Sequence, residues 1–119
     1  MKVSVTSQYL QVQSKPLESK YVFAYTVSIE NDSDEAAKLV SRYWQITDAN
    51  NQIQEVTGVG VVGDQPRLEP GETYTYTSGA VLETTTGTMQ GHYVMMRDNG
   101  SKFEADIPTF ALIQPQALH

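Results

Sequence analysis

Between Tyr21 and Glu30 the side chains alternate without a break, with Tyr21, Phe23, Tyr25, Val27 and Ile29 on one phase and Thr26, Ser28 and Glu30 on the other. A period of two puts successive side chains on opposite faces of a pleated backbone, so this run can bury one face and wet the other only as a β-strand. The same alternation recurs along the chain. From Val3 to Gln13 it is carried first by Val3 and Val5 and then, in the opposite phase, by Leu10 and Val12. Such a phase change is what one inserted residue, a β-bulge, would produce within a strand.

Turn chemistry separates the runs. Asn31-Asp32-Ser33-Asp34 is rich in side chains that hydrogen-bond their own backbone, and Glu35-Ala36-Ala37-Lys38 is too short to last as a helix. Leu39 to Thr47 reads as a third strand carrying the only tryptophan, Trp44, and pairs as a hairpin with a short strand near Ile53 to Val56. A glycine loop follows, and Pro66 and Pro70 exclude a regular helix there. Glu69-Pro70-Gly71-Glu72 fits a type II turn, with proline presetting φ and glycine accepting a positive φ. Tyr74 and Tyr76 then share one face of a strand and Thr73, Thr75 and Thr77 the other. After a loop at Glu83 to Gly87, alternation from Met89 to Met96, an Asn99-Gly100 turn and a strand from about Phe103 past Phe110 complete the chain. Pro108 marks that last strand as an edge or a break. About seven to eight short strands with regular turns and no helical period describe an all-β, immunoglobulin-like or fibronectin type III-like two-sheet sandwich. One domain is expected over residues 1–119.

Composition narrows the function. With no cysteine there is no disulfide, no thiolate metal site and no thiol nucleophile, which favours a cytoplasmic setting. The first residues alternate instead of forming an apolar leader, and no apolar run is long enough to span a bilayer. A net charge of −6 repels phosphate backbones and anionic lipid, and the Lys and Arg residues are scattered singly, so neither nucleic acid nor membrane is expected as a partner.

Candidate sites are few. Gly58, Gly60 and Gly63 spell G-x-G-x-x-G, but Asp64-Gln65-Pro66 follows where a dinucleotide site needs a helix N-terminus. The loop is therefore expected as a structural turn, with Gly58, Gly60, Gly63 and Arg67 as contacts for a partner or, alternatively, for a small anion, pyrophosphate or nucleotide held by exposed amides. His92 and His119 lack metal-ligand spacing, and Asp32, Asp34 and Glu35 lack the spacing of a calcium loop, so no metal and no cofactor is expected. Arg42 is expected to cap the core beside Tyr43 and Trp44, the alternative being a cation-aromatic contact at an interface. No serine sits in a nucleophile elbow, and no enzyme activity is expected.

Five stretches resemble the bacterial ApaG family, also called CorD: YVFAYTVSIEN from Tyr21, SRYWQIT from Ser41, VTGVGVVGDQP from Val56, EPGETYTYTSG from Glu69 and TMQGHYVM from Thr88. The resemblance implies a fibronectin type III-like sandwich and, because similar domains occur in F-box proteins and in a protein that interacts with DNA polymerase delta, a role in binding proteins. It also implies a link to cobalt and magnesium handling, and it brings no catalytic residues. The expected function is a non-catalytic protein-protein interaction module with an unidentified protein partner, a homodimer being a further possibility.

Overall fold

A computed structural model describes residues 1–115 of the chain. It contains strands β1 (Lys2–Tyr9), β2 (Tyr21–Glu30), β3 (Ala37–Asp48), β4 (Ile53–Val59), β5 (Arg67–Leu68), β6 (Thr73–Leu82), β7 (Thr86–Arg97) and β8 (Lys102–Ile113), with a short 3-10 turn at Pro16–Glu18. They form two antiparallel sheets, β1-β2-β6 and β4-β3-β7-β8, the second with β5 also paired to β3. The expected sandwich is present.

The alternation of β2 places Phe23, Tyr25, Val27 and Ile29 in the space between the sheets, where all four are buried. From the other sheet Trp44 meets them, edge-on to Tyr25 at 5.3 Å between ring centroids and to Tyr93 at 6.4 Å. Its burial follows from a feature that the alternation alone hides. Leu39 and Trp44 lie on opposite phases yet both point inward, because the β3–β7 register slips between Leu39 and Ser41 and leaves Val40 as an extra residue. A second slip between Met89 and Gly91 puts the extra residue on β8, in the segment that holds Pro108. Pro108 thus lies beside a bulge on a sheet edge, where its missing N–H breaks no ladder bond.

The bulge expected between Val3 and Val12 is absent. β1 pairs with β2 in continuous register from Lys2↔Glu30 to Tyr9↔Phe23. The strand stops there because Ser14 folds back, its N–H and Oγ donating to the Leu10 carbonyl at 3.1 and 2.8 Å, and Val12 turns out to solvent. The Glu69–Glu72 turn has Gly71 at φ +87 and a 3.0 Å bond from Glu72 N–H to Glu69 C=O, as expected. The Asn99-Gly100 turn is a longer loop than a two-residue hairpin, with Gly100 at φ +87 and Arg97 N–H bonded to Ser101 C=O.

One polar pair sits in the core. The hydroxyls of Tyr76 and Tyr93 hydrogen-bond to each other across the sheets. Burial pushes Tyr76 up to about 12 from 10.0 and Tyr93 in the same direction. Because the folded state raises these values, their contribution is complete below about pH 10 and is lost as pH rises through the folded values. In an alkaline titration followed by tyrosinate absorbance, Tyr76 and Tyr93 should ionise only with unfolding, and both Tyr→Phe variants should flatten the stability loss above pH 10.

The two sides of the sandwich differ. β1 packs against β8, and Ser7 Oγ donates to the Ala111 carbonyl at 2.8 Å. No comparable packing joins β4 to β6 among the described residues. That side is open.

Candidate functional site

The glycine loop lies at the open side and is an excursion within one edge strand. β4 pairs with β3 as far as Ser41↔Val59, the chain leaves, and β5 rejoins the same side of β3 at Lys38↔Arg67. The departure coincides with the Val40 bulge, whose carbonyl accepts from Gly60 N–H at 2.9 Å and Gln65 Nε2 at 3.0 Å. Val61 and Asp64 exchange both backbone bonds at 2.8 Å around Val62 and Gly63, whose φ values of 43 and 80 make a tight turn of two left-handed residues. Gly60, at φ +65, has no room for a side chain, since a Cβ would stand 2.2 Å from the Asp64 carbonyl oxygen. Valine at position 62 is unusual, because a β-branched residue resists positive φ, and its side chain is held out in solvent.

Arg42 organises this loop. It reaches past Gly58, where a Cβ would lie 2.6 Å from the guanidinium, and donates to the carbonyls of Val59 at 3.2 Å and Gly60 at 2.8 Å. It also lines the gap beside Trp44, so the core-capping expectation for Arg42 holds. The loop thus turns carbonyls toward a cation, while the amides of Gly60, Val61 and Asp64 are taken by backbone partners. Arg67 is engaged too: it grips Asp98 through Nε at 3.0 Å and a terminal nitrogen at 2.6 Å, and also binds Glu69. The Arg67 guanidinium holds the Asp98 carboxyl below its usual range. Arg42 thus links Gly58 and Gly60, Gly63 stands apart at the tip of the turn, and Arg67 on β5 faces the acidic residues Glu69 and Asp98.

His92 stacks on Tyr43 at 5.2 Å on the outer face of the larger sheet, its Nε2 3.3 Å from Glu104. His119 lies outside the described residues. Asp32 pairs with the amino group of Met1 at 3.0 Å, which lowers its pKa. Among the described residues no three His, Cys, Asp or Glu side chains gather as a metal site would need, and no helix is long and apolar enough to cross a membrane.

Below the loop runs a trough bounded by the free edges of β4 and β6. Asp48 N–H to Gln52 C=O and Gly60 N–H to Val40 C=O bracket the β3–β4 ladder, so even-numbered residues of β4 face β3. The backbone groups of Ile53, Glu55 and Thr57 therefore point outward. On β6 the bond from Asn31 N–H to Glu72 C=O sets the same alternation, leaving the N–H and C=O of Thr73, Thr75, Thr77, Gly79 and Val81 unpaired among the described residues. The trough holds one cavity of about 140 Å³ between Trp44, Val56, Ser78 and Gly79, and another of about 360 Å³ against Ile53, Val81, Asp48 and Glu83. Sequence periodicity had no way to find it, since β4 and β6 come together only through the topology.

A family model described as the ApaG domain matches residues 11–97. The chain belongs to the ApaG domain family. It is 56% identical to Protein ApaG of Thiobacillus denitrificans over 117 residues, covering 98% of this chain and 92% of that protein. It is 53% identical to Protein ApaG of Xylella fastidiosa over 119 residues, covering 100% and 94%. Among solved structures, a crystal structure from Bordetella pertussis described as an ApaA protein superimposes with a TM-score of 0.93 at 50% identity, covering 97% of this chain and 94% of that one. The ApaG domain match takes in every strand from β2 to β7, and so the glycine loop and both walls of the trough.

Proposed function

We propose that this ApaG domain is a non-catalytic module that binds another protein through its open side, between the segments Gly58–Pro66 and Glu83–Gly87, which include the end of β4 and the start of β7. The observation that carries this is the exposed apolar surface along that side: Ile53 (58% exposed) and Val81 (51%) share the larger cavity, and Val59 (73%) and Val62 (59%) stand at the end of β4 and in the loop beyond it. An exposed apolar surface rimmed by polar residues is costly in water and is the usual mark of a binding face. Arg42 and the Val40 bulge hold the loop in one shape, so little order has to be gained on binding. The link to cobalt and magnesium handling that the family resemblance suggests is then an indirect one, through the partner.

Affinity capture from a cell extract tests this, comparing the native chain with a folded Ile53→Glu, Val59→Glu variant. The native chain should retain a protein that the variant loses. Equal recovery by both would remove the open side as the binding face. Pyrophosphate and nucleoside triphosphates should leave the melting temperature unchanged, because a ligand of the folded form must raise it with occupancy. A shift of several degrees with no captured protein would favour the small-anion alternative at Gly58, Gly60, Gly63 and Arg67.

A further inference from the structure

The edge strands of this sandwich are not equally protected. β8 carries Lys102, Glu104, Asp106, Pro108 and a bulge, β1 is covered by β8, and the edge strand β4 contains Glu55 and gives way to the glycine loop. β6 has none of these devices. Its ten residues, TYTYTSGAVL, include no charge and no proline and pair with β2 in unbroken register. Natural proteins defend exposed edges with charge, proline or bulges, because a bare edge is a template for another strand. A bare edge kept in an otherwise defended sandwich marks a place where a strand is received.

The trough beside it states what that strand carries. Residues opposite Tyr74, Ser78 and Leu82 would all point inward, since these even positions of β6 face the core. Opposite Ser78 lies the cavity of about 140 Å³ against Trp44 and Val56, which accepts one aliphatic side chain. Opposite Leu82 lies the larger cavity, apolar on the Ile53 and Val81 walls and acidic at Asp48 and Glu83. At the other end Tyr74 bonds Asp64 at 3.3 Å, which puts a third carboxylate over the trough. Among the described residues the only basic side chain lining either cavity, Arg42, is occupied with the loop carbonyls.

We propose that an extended segment of a partner protein adds to β6 as a further strand, with one apolar residue over Trp44 and a Lys or Arg four residues to each side of it. The spacing is symmetric, so it holds for either strand direction. Each arm spans roughly 13 Å, and the aliphatic stem of a Lys or Arg would lie along apolar wall while its head reaches the carboxylates. This rests on the protein-binding reading and specifies the partner's chemistry.

The test is selection of a random nonapeptide display library on the full chain, followed by titration of the enriched peptides with Trp44 emission as readout. An apolar centre with basic residues at both ends should be enriched. Thr77→Pro removes an outward N–H without touching the β2 ladder and should weaken these peptides at least tenfold. Glu83→Lys should shift the selected residue at that end from basic to acidic, and this arm stands even where the proline variant does not fold. Failure to enrich such peptides, a consensus without the spaced basic residues, or one that tolerates both substitutions would overturn the proposal. So would sedimentation showing a dimer that Thr77→Pro dissolves, since the occupant is then a second copy. If the capture experiment recovers a partner while these arms fail, protein binding stands and strand addition does not.

Discussion

Trp44→Ala is expected to lower the stability of this domain by about 3 to 5 kcal/mol, the range for truncating a large aromatic in a packed core. Trp44 is 2% exposed and touches rings from both sheets, Tyr25 from one and Tyr93 and Phe110 from its own. Its removal would enlarge the gap already open toward Val56 and Ser78. A domain of ordinary stability holds about 5 to 15 kcal/mol, so the variant keeps its fold only with a reduced margin. Urea denaturation followed by circular dichroism reads the loss directly. A loss below about 1 kcal/mol, or a red-shifted and easily quenched emission from the native protein, would contradict a core tryptophan.

Gly91→Ala should be as damaging, though it adds only a methyl group. A Cβ at this position would stand 1.9 Å from the Tyr43 carbonyl oxygen and 2.9 Å from its carbon, both backbone atoms of the neighbouring strand β3. Neither can rotate away, so β3 and β7 would have to part beside the β7–β8 register slip. Strand separation at the centre of the larger sheet should cost at least about 3 kcal/mol, the upper part of the range for overpacking. Gly79→Ala is the internal control. There the nearest atom lies at 3.5 Å, an ordinary contact, and the change should be neutral or slightly stabilising because alanine loses less freedom on folding. Equal losses for the two variants would show that Gly91 is not a close-approach position.

Much of this fold could be read from residue order because local chemistry and tertiary packing agree. The alternation of Tyr21 to Ile29 survives unchanged in β2, and the Pro70-Gly71 pair makes the expected turn. The expectations that changed are those decided by a neighbouring strand. Leu10 and Val12 look like a shifted continuation of β1, yet a single serine hydroxyl caps the turn that ends it. Val40 looks like one more apolar residue on the Trp44 phase, and only pairing with β7 makes it the extra residue. The glycine loop shows the same limit at the candidate site. Its spacing located a tight backbone turn, but whether amides or carbonyls faced the nearest cation depended on Arg42, a strand and a turn away in sequence. The β4–β6 trough left no trace in the order of residues, being a gap between elements that never pair.

The closed side of the sandwich also constrains how the chain acquires its structure. Ser7 and Ala111 meet across a separation of 104 residues, so the seam between β1 and β8 joins the first of the described strands to the last. While the chain emerges from the ribosome, β1 and β2 can form a hairpin at once, but that hairpin has no opposite sheet until β3 and β7 have both appeared. Closing such distant partners is entropically slow and leaves strand edges exposed meanwhile. The nascent chain therefore passes through an interval in which both long flanks of its first sheet are bare, and its need for protection from aggregation lasts until β8 is made.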